Sequence, residues 1–469
     1  MRRYIILGII LLIIIIPVLL ITSGVLRRPP SNVAAVTLTY WTVTDDNTNL
    51  GGLITAYQAK RPYVNIVVKK IPNTDYQETL LNAWARDTGP DIFSLPNDWL
   101  GQYTDFIAPL PAATNVYQFS THRVLFRDQT EVNPVTVASL TADQLRQRFV
   151  DVVISDVFLR PDKKSPFGIY GLPLSVDTLA LYYNRDLLSA AGIAVPATTW
   201  KELTNHVSQL TILDNQNNIL QSGIALGTAV NVNEAADIWS LLAIQNGAQM
   251  INADSSQIIF GTEQNNYGLR ALEFYTDFAD FAKEVYSWNQ VMPDSIDSFT
   301  QGKLAYYIGY RSDRELITSQ APTLNYAISS IPHINSDGTD AQLSSSGLPV
   351  PVSFASYWIE TVSKKSQHID EAWDFLQFAT AAENVTAYLD TNGKVSALRN
   401  IVNIQRTDTD KQVFAEQAIN ARSWYHGNNA LATEGYINSM ITSVVDSANS
   451  SLSAINLAAQ QITQTLTNE

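Results

Sequence analysis

Between Arg3 and Arg27 the chain carries 23 residues without a charge, Tyr4 to Leu26, most of them isoleucine or leucine. As a helix such a run is about 34 Å long, which spans the roughly 30 Å hydrocarbon layer of a bilayer. Everything downstream therefore folds tethered to a membrane, after this segment has been removed, or around it as a buried helix. Cleaved signal peptides usually have apolar cores of about 7–15 residues. This core is longer, and Leu20–Leu26 offers no A-x-A cleavage site. The expectation is an uncleaved single anchor, with a cleaved leader or a buried helix as the alternatives. Arginine flanks both ends, so the positive-inside rule gives no orientation by itself. A short Met-Arg-Arg start retained inside, with the long acidic body on the extracytoplasmic face, is the expected arrangement. Pro29-Pro30-Ser31-Asn32 reads as a spacer, and no second run of spanning length follows.

The body excludes several function classes. With 469 residues, 46% hydrophobic and 16% charged, it can bury large cores and is no disordered chain. Setting aside the four arginines that flank the apolar run leaves 26 basic residues against 44 acidic ones. Such a body is a poor binder of phosphate backbones, so nucleic acid is not an expected partner. Cysteine is absent, which removes disulfides, thiolate metal sites, a catalytic Cys and a lipid-modified Cys. The five histidines form no H-x-x-x-H pair, and neither a metal nor a cofactor is expected. No G-x-S-x-G, H-E-x-x-H, G-x-x-x-x-G-K-[ST] or G-x-G-x-x-G occurs. His333-x-Asn335-x-Asp337-Gly338 echoes a calcium loop, but Ser344 stands where the closing Glu belongs, so it reads as a polar turn. Paired carboxylates for glycoside hydrolysis stay open, because so many acids offer many pairs.

Val36–Tyr40 alternates apolar and polar residues, Leu50, Leu53, Ile54 and Tyr57 recur at helical spacing, and Val64, Ile66 and Val68 alternate again. A second amphipathic helix over Tyr76–Trp84 ends at Gly89-Pro90, and Asp91–Leu95 reads as a short buried strand. Strands alternating with helices predict a largely parallel α/β sheet. Thr199-Trp-Lys-Glu202 is a capping box. Leu304–Ile308 reads as a strand after a Gly302 turn, and Glu371–Ala379 and Tyr436–Val445 as helices.

Several of these segments, taken in order, resemble the bacterial extracellular solute-binding proteins of the ABC sugar-transporter type, the family of the maltose-binding proteins. They are Tyr40-Trp41, Gly89-Pro-Asp-Ile92, Gly171-Leu-Pro173 with Asp177–Leu187, Thr199–Leu203, Phe299–Ala305 with Gly309, and Ile359 with Ser363-Lys364 and Ala372–Leu376. The resemblance covers about 36–469. It departs in lacking the lipid-anchoring Cys, whose place the apolar run would take, and in the length of Phe119–Val150. It implies a two-lobe, periplasmic-binding-protein-like α/β clamshell with three crossings, near 175–178, 306–309 and 354–358. Residues 1–32 would be anchor and spacer, 33–175 with 309–354 one lobe, and 178–306 with 358–469 the other. It also implies a small-molecule ligand, foremost a carbohydrate, and ABC permease subunits as partners. The rivals are a cell-surface glycosidase and a sensing module that passes on occupancy without transport.

A sugar offers hydroxyl donors to carboxylates and apolar ring faces to aromatics. By position in the resemblance, the ligand candidates are Trp41, Asp45 and Asp46 after the first strand, and Asn97, Asp98 and Trp99 after the third. Asp177 lies on the first crossing, Tyr310 and Arg311 follow Gly309, and Tyr357 with Trp358 stands at the last crossing. Trp239, Trp424 and Tyr436 come from the second lobe. The ordinary alternatives are a helix cap for Asp45 or Asp46, a surface loop for Asn97–Trp99, an acid partner for Arg311, and plain core for Trp239, Trp424 and Tyr436. The apolar run makes its own prediction: the mature protein retains Met1–Leu26 and fractionates with membranes. Amino-terminal sequencing that starts near Ser23–Val33 would reject it.

Overall fold

The structure, a computed structural model, describes residues 33–124, 127–162, 164–262, 266–334, 352–425 and 427–466. The expected anchor, the spacer and the calcium-loop echo from Asn335 onward lie outside the described residues. Among the described residues no helix is long and apolar enough to cross a membrane.

Strand β1 (Val36–Thr42) buries Val36, Leu38, Tyr40 and Thr42, the period-2 face read from sequence. Helix α1 (Asn47–Lys60) starts at Asp46, whose carboxylate accepts from the amides of Thr48 and Asn49. The Asp46 amide in turn donates to Asn49 Oδ1, closing a capping box. Strand β2 (Val64–Lys70) runs parallel to β1 from Val36↔Val64 to Thr42↔Lys70. After α2 (Asn73–Ala85), β3 (Ile92–Pro96) joins the other edge of β1 at Tyr40↔Ile92 and Trp41↔Phe93. Strands β4 (Ala113–Val124) and β5 (Arg127–Ala138) then form a long antiparallel hairpin, which accounts for part of the extra length after Phe119.

Helix α3 (Asp151–Val157) leads toward β6 (Asp177–Thr178) and β7 (Ala180–Asn184). Helix α4 (Trp200–Leu210) carries the capping box as read, with the Glu202 amide donating to Thr199. There follow β8 (Ile212–Leu213), β9 (Ile219–Ile224), α5 (Ala235–Gln245), β10 (Leu304–Gly309), β11 (Tyr326–Ser329), β12 (Ala355–Ser356), β13 (Trp358–Val362), α6 (Ile369–Ala379) and α7 (Ala430–Val445).

By its internal contacts the chain divides into two units. One comprises Met1–Phe93, Pro111–Ser139 and Val362–Asn384; the other comprises Ser94–Leu110, Leu140–Thr361 and Val385–Glu469. The main sheets have the orders β13-β3-β1-β2 and β8-β9-β10-β7-β11. This grouping differs from the expected lobes. The segment after Gly309 was expected beside the amino-terminal strands, yet β11 pairs antiparallel with β7, from Tyr326↔Asn184 to Ser329↔Leu181. The reason is local: β10 ends in a turn that Asp313 closes by accepting from the Tyr310 amide, so the chain comes back to its own sheet.

The first unit is held across a long sequence gap by one buried ion pair. Arg61 Nε lies 3.0 Å from Asp374 on α6, with side chains only 4% and 8% exposed. The Tyr57 hydroxyl donates to the same carboxylate at 2.9 Å, and burial beside Asp374 pushes that phenol far up its scale. Phe375 and Phe378 pack against the Tyr57 ring. Buried charges endure only when paired and hydrogen-bonded, and deleting one partner strands the other. Asp374→Ala is therefore expected to destabilise the protein by about 3–5 kcal/mol, and Tyr57→Phe by about 1 kcal/mol. Thermal denaturation of the two variants checks the order; equal, small losses would show that the pair carries no weight.

Candidate functional site

The second unit gathers an aromatic and several carboxyl groups from distant elements. Their common frame is the turn after β10. Gly309 precedes it, and a Cβ at that position would collide with the Asp313 carboxylate and the Tyr307 ring. Without one, Asp313 folds back to accept from Tyr307 (2.8 Å) and from the Tyr310 amide (3.0 Å). Asp177 holds the same turn from outside, accepting from the amides of Arg311 (2.9 Å) and Ser312 (3.0 Å). Tyr182 on β7 donates to the Tyr310 carbonyl at 2.6 Å. So fixed, the buried Tyr310 directs its hydroxyl to Asp237 Oδ2, 2.6 Å away in the first turn of α5.

Asp237 does not stand alone. Desolvation, opposed by the Tyr310 hydrogen bond and reinforced by Glu434 on α7, pushes its carboxyl up to about 7. Desolvation likewise pushes Asp98, in the turn after β3, up to about 7, and the charges of Asp237, Glu434 and Asp156 add to it. Asp313 is raised to about 6, chiefly by desolvation. Glu234 is raised well above the carboxylate range, first by desolvation and then by Asp237, Asp313, Glu434 and Asp177; desolvation also raises Glu434. Glu234 and Glu434 are nevertheless open to solvent, and Asp98 and Asp237 partly so. Acids hemmed in by protein yet reachable by water form a recessed, acceptor-rich surface. Among the described residues no group of acids and histidines is arranged to hold a metal ion.

The sequence candidates distribute as follows. Asp98 and Tyr310 belong to this constellation, and Asp177 and Arg311 belong to the turn that orients Tyr310. Asn97 is buried and spent internally: its side chain donates to Asp156 (3.0 Å) and accepts from the Tyr357 amide (3.1 Å). The Tyr357 hydroxyl donates to Asp156 at 2.6 Å, so Tyr357 points inward, while Trp358 is half-buried. Trp99 is buried against Tyr103. Trp239 is core, edge-on to Phe260. Trp424 is half-buried, lies edge-on to Phe260 and donates to Ser240 at 3.0 Å. Tyr436 is half-buried on α7.

Trp41, Asp45 and Asp46 lie in the first unit. Trp41 is half-buried beneath the Lys69 ammonium, 4.3 Å from its ring centre. Asp45 is buried and accepts from Thr44, and Asp46 caps α1. Sequence reasoning missed Glu234, Asp237, Asp313, Glu434 and Asp156. Acids in a first helical turn, such as Asp237, read as ordinary complements to the helix dipole, so no local signal distinguished them.

A family model described as bacterial extracellular solute-binding protein matches residues 52–415. A curated binding protein of Brucella abortus (strain 2308) is 27% identical over 192 residues, 40% of this chain; the match spans only 43% of that relative's length. Among solved structures, the cyclic α-maltosyl-1,6-maltose binding protein of Arthrobacter globiformis superposes with a TM-score of 0.70 at 19% identity, covering 93% of this chain and 100% of that one. The sugar-binding protein MalE of Xanthomonas citri gives 0.68 at 18%, covering 92% and 97%. A cyclo/maltodextrin-binding protein complexed with maltotetraose gives 0.67 at 18%, covering 92% and 98%. These likenesses show the two-domain α/β fold of periplasmic binding proteins.

The raised carboxyls set a pH signature. A carboxyl whose folded pKa lies above its ordinary value of about 3.9 makes the native state bind more protons than the unfolded chain. Stability therefore falls as pH rises from about 4 to about 7 and levels off above. His206 works against this at the acid end, since desolvation lowers its pKa and its protonation below about 6.5 favours the unfolded chain. The melting temperature is expected to rise as pH drops from 8 to 6.5, and the rise to flatten in Asp98→Asn and Asp237→Asn. Parallel pH profiles for wild type and both variants would refute the clustering.

Proposed function

The chain belongs to the bacterial extracellular solute-binding family, and from that premise we propose that it captures a sugar or oligosaccharide outside the cell for an ABC importer. The observation that carries the sugar reading is the Tyr310–Asp237 pair: an oriented phenol bonded to a partly exposed carboxylate, with Asp98, Glu234 and Glu434 nearby. Ligand hydroxyls are donors, and such a surface is rich in acceptors and poor in competing donors. Trp424 and Tyr436, both half-buried, supply ring faces for the apolar side of a pyranose. The structural relative complexed with maltotetraose points the same way. An anionic solute would meet repulsion from these acids. The apolar run at 4–26 supports a protein tethered to the membrane with its body on the extracytoplasmic face.

The rival with an observation in its favour is a glycoside hydrolase, because Asp98 and Asp237, raised to about 7, have the poise of acid–base groups. Binding without turnover separates the two readings. In a thermal-shift panel of tagatose, mannobiose, maltotetraose and cyclic tetrasaccharides, a ligand at 100 times its Kd stabilises by about 2.7 kcal/mol. At least one sugar is expected to do so and to be recovered intact. Tyr310→Ala and Asp237→Asn should each weaken that sugar about ten- to hundredfold in calorimetry, at about 1.4 kcal/mol per decade. Release of reducing ends would favour the hydrolase, and a panel with no shift would defeat the sugar reading.

A further inference from the structure

Asp156, on α3, is a buried carboxylate that the reading above does not use. Three elements of the second unit converge on it. Asn97 Nδ2 donates to its Oδ2 at 3.0 Å, Tyr357 OH donates to the same oxygen at 2.6 Å, and Ser423 Oγ donates to Oδ1 at 2.6 Å. Asn97 and Tyr357 are also tied to each other, through Asn97 N to the Tyr357 carbonyl (2.9 Å) and Tyr357 N to Asn97 Oδ1 (3.1 Å). The next residue after Asn97 is Asp98, and the next after Ser423 is Trp424.

We propose that Asp156 is a positioning residue: through one carboxylate it fixes the Asn97–Trp99 turn and the Ser423–Trp424 loop as a single wall of the binding site. The proposal rests on the reading that Asp98 and Trp424 face the ligand. Its chemistry is that of acceptor count. An ionised carboxylate offers up to four lone-pair sites and no donor, so it can take three donors from three directions. An amide in its place turns one of its two acceptor atoms into a donor. The Ser423 and Tyr357 hydroxyls can rotate to answer that change; the Asn97 amide cannot. An amide turned with its oxygen toward Asn97 and Tyr357 and its nitrogen toward Ser423 is therefore tolerated, whereas removing both oxygens releases the Asp98 and Trp424 sides together, and removing Ser423 releases only the Trp424 side.

Hydrogen exchange on the free protein, followed by maltotetraose calorimetry, tests this. Asp156→Ala is expected to raise exchange at least tenfold at the Asn97, Tyr357 and Arg422 amides together. Ser423→Ala should do so only around 421–425, which keeps the test alive should the first variant fail to fold. Tyr57→Phe, in the first unit, should lower the melting temperature yet leave those amides protected and maltotetraose affinity unchanged. Asp156→Ala should weaken maltotetraose about tenfold or more. Exchange that rises only within α3, or affinity that falls no further than in Tyr57→Phe, overturns the proposal. Should the wild type not bind maltotetraose, the reading of that sugar as a ligand fails, and the exchange pattern alone decides the role of Asp156.

Discussion

Strand β7 is hydrogen-bonded along both edges, to β10 from Tyr306↔Tyr183 to Gly309↔Ala180 and to β11 from Tyr326↔Asn184 to Ser329↔Leu181. The candidate site depends on that double pairing. Shifting either register by one residue would turn every side chain to the opposite face. Tyr182 would then no longer reach the Tyr310 carbonyl, and Asp177, just before the strand, would no longer meet the amides of Arg311 and Ser312. The position of one phenol is thus set by backbone pairing several residues away.

The site sets fold stability against function. Concentrated carboxyls repel one another and resist ionisation, and the structure meets this with donors rather than cations: Tyr310 to Asp237, Tyr307 to Asp313, backbone amides to Asp177. Hydrogen bonds satisfy an oxygen without neutralising its charge. Acceptor capacity is thereby left open. Arg61 and Asp374 solve the opposite problem by full pairing, which leaves nothing available to a ligand. The two arrangements put one residue type to different uses, a fully paired support in the first unit and open acceptors in the second.

The opening strands and helices were legible because their signals are local. The period-2 face of β1 and the Thr199–Glu202 box each depend on residues within a few positions. Two members of the constellation were legible too: Asp98 and Tyr310 follow strand ends, where site residues gather. Asp237, Glu234 and Glu434 were not, because what distinguishes them is one another's proximity, and they come from 234–237 and 434. The return near Gly309 failed for a related reason. The glycine was real, but it serves a tight turn closed by Asp313, a role that no nearby residue announces. The partners of Asn97 and Tyr357 lie 59 and 201 residues away at Asp156, which no sequence pattern can supply.

The Arg61–Asp374 bridge has a consequence for how the chain is made. The first unit draws on three separate stretches, the last of them Val362–Asn384. A ribosome adding about 5–20 residues per second needs roughly 15–60 s to travel from residue 93 to residue 384. Throughout that interval β1, β2 and α1 are already synthesised, while Phe375, Phe378 and the acid that Arg61 requires are not. The amino-terminal third therefore cannot complete its core early. A chain so delayed keeps its amino-terminal strands and helix without their full core until the last of the three stretches has been made.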